Sequence, residues 1–320
     1  PTSLVDSELR AFRPDIIHLA SPFVLGAAGA FSARQLRIPA IAVYQTDVAG
    51  FATKYQLSAL AFGVWEWLRT IHNACQMTLA PSSLTIAALE KHNIKNVRHW
   101  GRGVDAKRFH PSNRSDSLRA AWDPTGKKRI VGFVGRLAAE KGVHRLSALN
   151  DREDIQLVIV GDGPERPLLE AQLPTAVFTG ALGGKKLAQA YASLDIFVHA
   201  GEFETFCQAI QEAQASGVPT IGPNAGGPVD LIDASYNGYL LEVDTFIEDL
   251  PAAVDAIDSP EFGIRARASI ENKTWEALCA QLEGYYEEVL ESTRKVPLTI
   301  LGQRPELPRW AARALGARVA

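Results

Sequence analysis

At 320 residues the chain exceeds the size at which a single core usually keeps growing, so two domains are expected. Its 47% hydrophobic and 22% charged content is that of a soluble globular protein, and a formal net charge of −3 gives no reason to expect nucleic acid. The three cysteines are widely spaced and odd in number, with no metal spacing or disulfide framework, and no apolar run reaches the span of a bilayer.

A reducing, cytoplasmic setting follows, with any membrane contact expected to be peripheral. The chain opens at Pro1 on an amphipathic stretch, Leu4 to Phe12, that feeds a strand. A doubly wound domain normally opens on its own buried strand, so the first domain is expected to be incomplete.

Strands and helices then alternate. Asp15 to Leu19 reads as a strand, Leu25 to Leu36 as a helix, Pro39 to Tyr44 as a strand and Ser58 to His72 as an aromatic-rich helix. Met77 to Ala80 is a strand, Ser82 to His92 a serine-capped helix, and Val97 to Trp100 a strand. This rhythm implies a parallel sheet. Residues 101–128, rich in Gly, Pro, Ser and Asp, interrupt it and read as a linker.

From Arg129 the alternation resumes with RIVGFVGRL, IQLVIVGDG, AVFTG, DIFVHA and PTIGP, whose Val, Ile and Phe runs mark strands covered on both faces. The domains are expected at 1–112 and 113–290, with a tail over 291–320.

The most informative stretch is HAGEFETFCQAIQEAQASGVPTIGPNAGGPVD, His199 to Asp230. A strand runs through a short loop into a helix expected from about Phe206 to Ser216. Glu204 and Glu212 stand eight positions apart, up to about 12 Å if helical, a span for two ends of one extended ligand. The amides of Thr205, Phe206 and Cys207 at the helix start favour an anion. A nucleotide diphosphate sugar fits: Glu204 to the sugar hydroxyls, the amides to phosphate, Glu212 to the ribose.

This string resembles the retaining transferases of glycosyltransferase family 4 (GT4), whose E-x7-E signature and later Gly-Gly it matches without a gap. The resemblance implies the GT-B architecture: two Rossmann-like, doubly wound α/β domains with a cleft between them, here with the first one truncated. In the family the basic pair of G-R-L-x-x-E-K clamps the donor phosphates, which assigns that role to Arg136 and Lys141 beside Gly135. A surface ion-pair network with Glu140 is the alternative. Gly161 and Gly163 of VGDGP and Gly180 of FTG stand in the family's order, FTG near the base. As turns they need no ligand. The AGGP string, Ala225 to Pro228, is either a loop that closes on the donor or a plain turn.

In the first domain, YQTDVAGF carries Gln45 where many relatives have a histidine on the transferred sugar. Glutamine cannot shuttle a proton, and this suits the mechanism in which the leaving phosphate oxygen takes the acceptor's proton. Asp47 is the nearest other acid or base, or a turn cap. His18 and His199 are ligands or, more simply, satisfy backbone groups.

The segment Phe51 to Ile71, with Tyr55, Trp65 and Trp67, is an acyl groove or helical core. The tail, with Arg304, Arg309, Trp310, Arg313 and Arg318, is a contact for anionic lipid or a frayed end.

Within the family, strings such as HLASP, RGVD and HAGEFETFCQ look most like the actinobacterial GDP-mannose-dependent α-mannosyltransferases. The resemblance implies transfer of α-mannose from GDP-mannose to a glycolipid or related glycosyl acceptor, with no cofactor and no metal. A UDP-sugar transferase making glucosyl or sulfoquinovosyl lipid, and a nucleotide-binding fragment without turnover, are the alternatives.

Overall fold

The computed structural model describes residues 2–45 and 58–295. The chain divides into two compact units, Pro1–Gly101 with Cys279–Ala320, and Arg102–Leu278. Each carries one open, wholly parallel sheet, which bears out the expected α/β class.

In unit 1 the strands are β1 (Ile17–Leu19), β2 (Ala40–Val43), β3 (Met77–Ala80) and β4 (Val97–His99), in spatial order β1-β2-β3-β4. The helices are α1 (Thr2–Phe12), α2 (Val24–Leu36), α3 (Ser58–His72) and α4 (Ser83–Lys91). Every residue of β2 and β3 is buried, because helices cover both sheet faces. Ala42 packs with Leu19, Ala27 and Ile71 on one face. On the other, Ile41, Val43 and Leu79 pack against Val289 of the last helix, α11 (Trp275–Lys295). That burial is why the helix belongs to unit 1 from Cys279 onward, and not to the second domain through 290 as its sequence position suggests. The serine cap of α4 is present: Ser82 Oγ accepts from the Thr85 amide.

Unit 2 has β5 (Arg129–Val134), β6 (Ile155–Val160), β7 (Val177–Gly180), β8 (Ile196–Val198), β9 (Thr220–Pro223) and β10 (Gly238–Leu241), ordered β10-β9-β8-β5-β6-β7. Its helices are α5 (Asp116–Trp122), α6 (Arg166–Gln172), α7 (Gly184–Ala192), α8 (Gln208–Ala215), α9 (Phe246–Ala256) and α10 (Glu261–Ala268). The chain starts at β5, adds β6 and β7 to one side, then returns to lay β8 on the other. The strand order therefore reverses between β5 and β8, and the loops leaving their carboxyl ends flank the crevice where such sheets bind ligands.

Residues 102–128 are part of this unit, not a linker. Val104, Phe109 and Trp122 are buried in one core with Val158, Tyr191 and Phe197. Burial of side chains this size contributes about 1.5–3 kcal/mol each. The expected boundary at 112 thus falls inside unit 2. Asp195 fastens α5 to the sheet, accepting from the Ile130 amide at 2.8 Å and from both Arg119 Nη atoms at 2.9 and 3.0 Å.

Candidate active site

Two loops meet at the switch point. After β5 the chain passes Gly135 and Arg136 into a 3₁₀ turn, Ala139–Lys141. The Arg136 guanidinium donates to Glu140, whose carboxylate is only 8% exposed while Arg136 is 64% exposed. A buried acid thus holds one guanidinium nitrogen of a side chain that otherwise still faces water. The Lys141 ammonium reaches the other loop and donates to Glu204 Oε1. Arg145 adds a second link, donating to the Ala200 carbonyl at 2.7 Å, with Glu202 at 3.6 Å.

The Glu204 loop is supported from behind by AGGP. The Gly227 amide donates to the Glu204 carbonyl at 2.7 Å. Gly226 sits at φ +59°, and a Cβ there would lie 2.3 Å from the same carbonyl oxygen. No side chain fits between these loops, which accounts for the paired glycines without a ligand.

Helix α8 starts later than its sequence suggests. Cys207 is its N-cap, in the left-handed region at φ 77°, ψ 75°, so the helix opens at Gln208, and the Ala209 and Ile210 amides lie beside the Cys207 sulfur. Thr205 and Phe206 lie in the loop ahead of it. A non-glycine residue in this conformation costs about 1–2 kcal/mol, and turns the chain between the Glu204 loop and the helix. Burial raises the pKa of the Cys207 thiol and keeps it protonated.

Glu204 and Glu212 line one open depression of about 500 Å³, with Arg102, Arg108 and Trp275 on its other walls. Glu212 lies on α8 and Glu204 before it, so only part of their spacing is helical. Burial raises the Glu212 pKa, against the nearby Tyr191 hydroxyl and the charge of Arg108, which lower it.

The remaining glycines cluster beside Arg136. Gly161 donates to the Gly180 carbonyl at 2.9 Å, and the Gly135 amide to that of Val160 at 3.0 Å. A Cβ on Gly161, at φ +147°, would stand 1.8 Å from the Gly135 oxygen, and one on Gly163 2.2 Å from that of Leu137. Close packing of three strand-end loops explains Gly161 and Gly163.

The sequence-derived residues Gly135, Arg136, Lys141, Gly161, Gly163, Gly180, Glu204, Thr205, Phe206, Cys207 and Glu212 all belong to unit 2. Gln45 belongs to unit 1, at the end of β2, where its Nε2 donates to the Ala20 carbonyl at 2.7 Å. Asp47 lies outside the described residues, as do Tyr55 and the arginines of the tail. Of the aromatic segment, Leu68 is buried in a core with Tyr44 and Leu89, Trp65 stacks on His92 at 3.7 Å, and Trp67 donates to the Pro22 carbonyl. These are packing roles.

His18 bonds the Tyr286 hydroxyl at 2.7 Å, a side-chain partner and not the backbone group expected. His199 departs further: it is 2% exposed, stacked on Phe133, and neither ring nitrogen makes a hydrogen bond to a described residue. Burial lowers its pKa to about 4, leaving the ring neutral.

Sequence reasoning missed Arg102, Arg108 and Trp275, which stand far from the Glu204 string along the chain. It also missed the glutamines of α8. Gln208 and Gln211 donate to the carbonyls of Gly103 and Arg102, and Gln214 to that of Leu231. Their spacing of three on an otherwise small-residue helix is the signal that marks them.

The sequence profile described as "Glycosyl transferases group 1" matches residues 115–274, and "Glycosyltransferase Family 4" matches residues 2–108. A GDP-mannose-dependent alpha-mannosyltransferase of Corynebacterium glutamicum is 62% identical over 99% of this chain and 79% of its own length. A protein of the same description from Mycolicibacterium smegmatis is 53% identical over 88% of this chain and 76% of its own. Among solved structures, Anabaena HepE in complex with UDP superposes with a TM-score of 0.75 at 18% identity, covering 90% of this chain and 82% of that one. No helix among the described residues is long and apolar enough to cross a membrane.

Proposed function

The chain belongs to the group 1, family 4 glycosyltransferases, and from that membership we propose that it moves an α-mannosyl unit, with retention, from GDP-mannose to a glycolipid or related glycosyl acceptor. The acceptor meets it at the inner face of the membrane. The observation that carries the reading is the meeting of Lys141 and Glu204 at the strand-order reversal of unit 2. It supports a site where a cation for phosphate and a carboxylate for sugar hydroxyls lie side by side.

In this reading the diphosphate lies along the β5 loop, against Gly135, Arg136, Lys141 and the first amides of α8. Glu204 takes the mannose hydroxyls, and Glu212 the ribose. The loops of Gly161, Gly163 and Gly180 form the floor toward the base. When the anomeric bond breaks, the departing GDP gains negative charge on its β-phosphate. Arg136 and Lys141 stabilise that charge, each contributing roughly 3 to 4 kcal/mol if it acts like an oxyanion-hole donor.

A phosphate oxygen on the same face takes the acceptor hydroxyl's proton as the new glycosidic bond forms, so the anomeric configuration is kept. Because two fixed cations meet the leaving group, the transfer runs without a metal or other cofactor.

Incubation with isotopically labelled GDP-mannose and a membrane lipid extract tests this. The label should move into a lipid fraction with an α-anomeric signal by NMR. Release of labelled free mannose alone, with no labelled glycoside, would contradict it.

A further inference from the structure

Behind the Lys141–Glu204 pair lies a group that the transfer reaction does not use. The His199 ring is 2% exposed, its Nε2 stands 3.5 Å from Glu204 Oε1, and beyond a loose approach of the Gly201 backbone neither nitrogen makes a well-formed hydrogen bond to a described residue. Buried polar atoms are nearly always satisfied, so an unpartnered imidazole aimed at a carboxylate calls for a ligand. Cys207 completes the group: its Sγ, a His199 nitrogen and a Glu204 oxygen all lie within 4.8 Å of one another.

We propose that His199, Glu204 and Cys207 bind a thiophilic divalent cation such as Zn²⁺ or Cd²⁺, which takes Glu204 away from Lys141 and excludes the nucleoside diphosphate sugar. One thiolate, one imidazole and one carboxylate are the donor types of a three-ligand zinc site, with bonds of about 2.0–2.3 Å. Binding requires the three donor atoms, now within 4.8 Å of one another, to draw together by side-chain rotation. A single carboxylate among softer donors selects against Mg²⁺ and Ca²⁺, which want oxygen.

The cation exchanges one charge for another. Glu204 leaves the Lys141 ammonium, which is 25% exposed and turns to water. The Cys207 thiol gives its proton to solvent as the metal–sulfur bond forms, and nothing is oxidised or reduced. Glu204 and Cys207 line the open depression, so water reaches a bound cation from that side. Exclusion of the donor rests on the role proposed above for Lys141 and Glu204. Metal binding does not.

The test uses the full chain carrying Cys279→Ser, which removes the exposed thiol, in phosphine-reduced buffer. Titration with Cd²⁺ should give the ultraviolet absorption of a cadmium thiolate, saturating at one equivalent, and Mg²⁺ should give no heat. Adding His199→Asn should weaken Cd²⁺ on the order of tenfold or more. Adding Cys207→Gly, which suits the left-handed backbone, should abolish the absorption while the fold, checked by circular dichroism, is retained. An absorption unchanged by either substitution would overturn the site. Zn²⁺ should also inhibit release of GDP from GDP-mannose, reversibly with a chelator. Cadmium binding without loss of GDP affinity would overturn the exclusion and point to a misassigned Lys141 and Glu204, leaving the metal site standing.

Discussion

Lys141 and Glu204 are 63 residues apart in sequence, yet the ammonium of one donates to the carboxylate of the other across the point where the strand order of unit 2 reverses. Each group therefore holds its neighbour where a ligand would meet both. Removing either should be read as loss of a pair.

Lys141→Met leaves Glu204 without its cation and the leaving phosphate without one donor. Turnover should fall by about 10²–10³, with GDP affinity also reduced. Steady-state kinetics and a GDP titration measure both. Turnover within a fewfold of the parent would show that the lysine does not face the diphosphate.

Glu204→Ala should behave differently, lowering turnover far more than it weakens free GDP, since its partner in the account is the sugar. Equal losses in the two measurements would mean the carboxylate serves the phosphate end instead.

Arg136→Ala should weaken free GDP itself. Glu140→Gln, which weakens the charge-assisted bond that orients the Arg136 guanidinium, should weaken GDP by a smaller factor in the same calorimetric assay. A larger effect at Glu140 than at Arg136 would place the binding energy in the turn and not in the guanidinium.

Gly161→Ala puts a Cβ 1.8 Å from the Gly135 carbonyl oxygen at a φ of +147°. The β5 and β6 loops must separate or the backbone must change region, at a cost of more than about 2 kcal/mol. Chemical denaturation should show that loss, and an unchanged midpoint would mean the loops part easily.

Burial lowers the His72 pKa from the ordinary 6.5 to about 4, and its Nδ1 meets Thr78 Oγ1 at 3.1 Å. The unfolded chain binds the proton first, so this group's contribution is whole above pH 6.5 and lost as pH falls toward 4. The difference is about 3 kcal/mol. His72→Gln, which stays neutral, should flatten the stability profile between those pH values. A profile unchanged by the substitution would assign the loss to other groups.

The parallel sheets were legible because continuous Val, Ile and Phe runs between helical segments have few other solutions. The switch-point loops were legible because Arg136, Lys141 and Glu204 directly follow such runs. Less visible were features set by tertiary packing. Trp122 sits in a polar, Gly-rich stretch that looks like a linker, and its burial appears only once β5 and α7 are in place. The last helix is continuous in sequence, so nothing local marks Cys279 as the residue where it passes to unit 1. The helix start at Gln208 was hidden because Cys207 adopts a conformation that sequence reasoning reserves for glycine. β10 is four residues with a glycine and a tyrosine, too short for a pattern.

The most direct measurement is a calorimetric titration with GDP and with UDP, followed by an assay of GDP release from GDP-mannose with acceptor lipid. GDP should bind well and UDP poorly, and GDP-mannose should be turned over. Preference for UDP, or GDP binding with no release of GDP in the presence of acceptor, would contradict it.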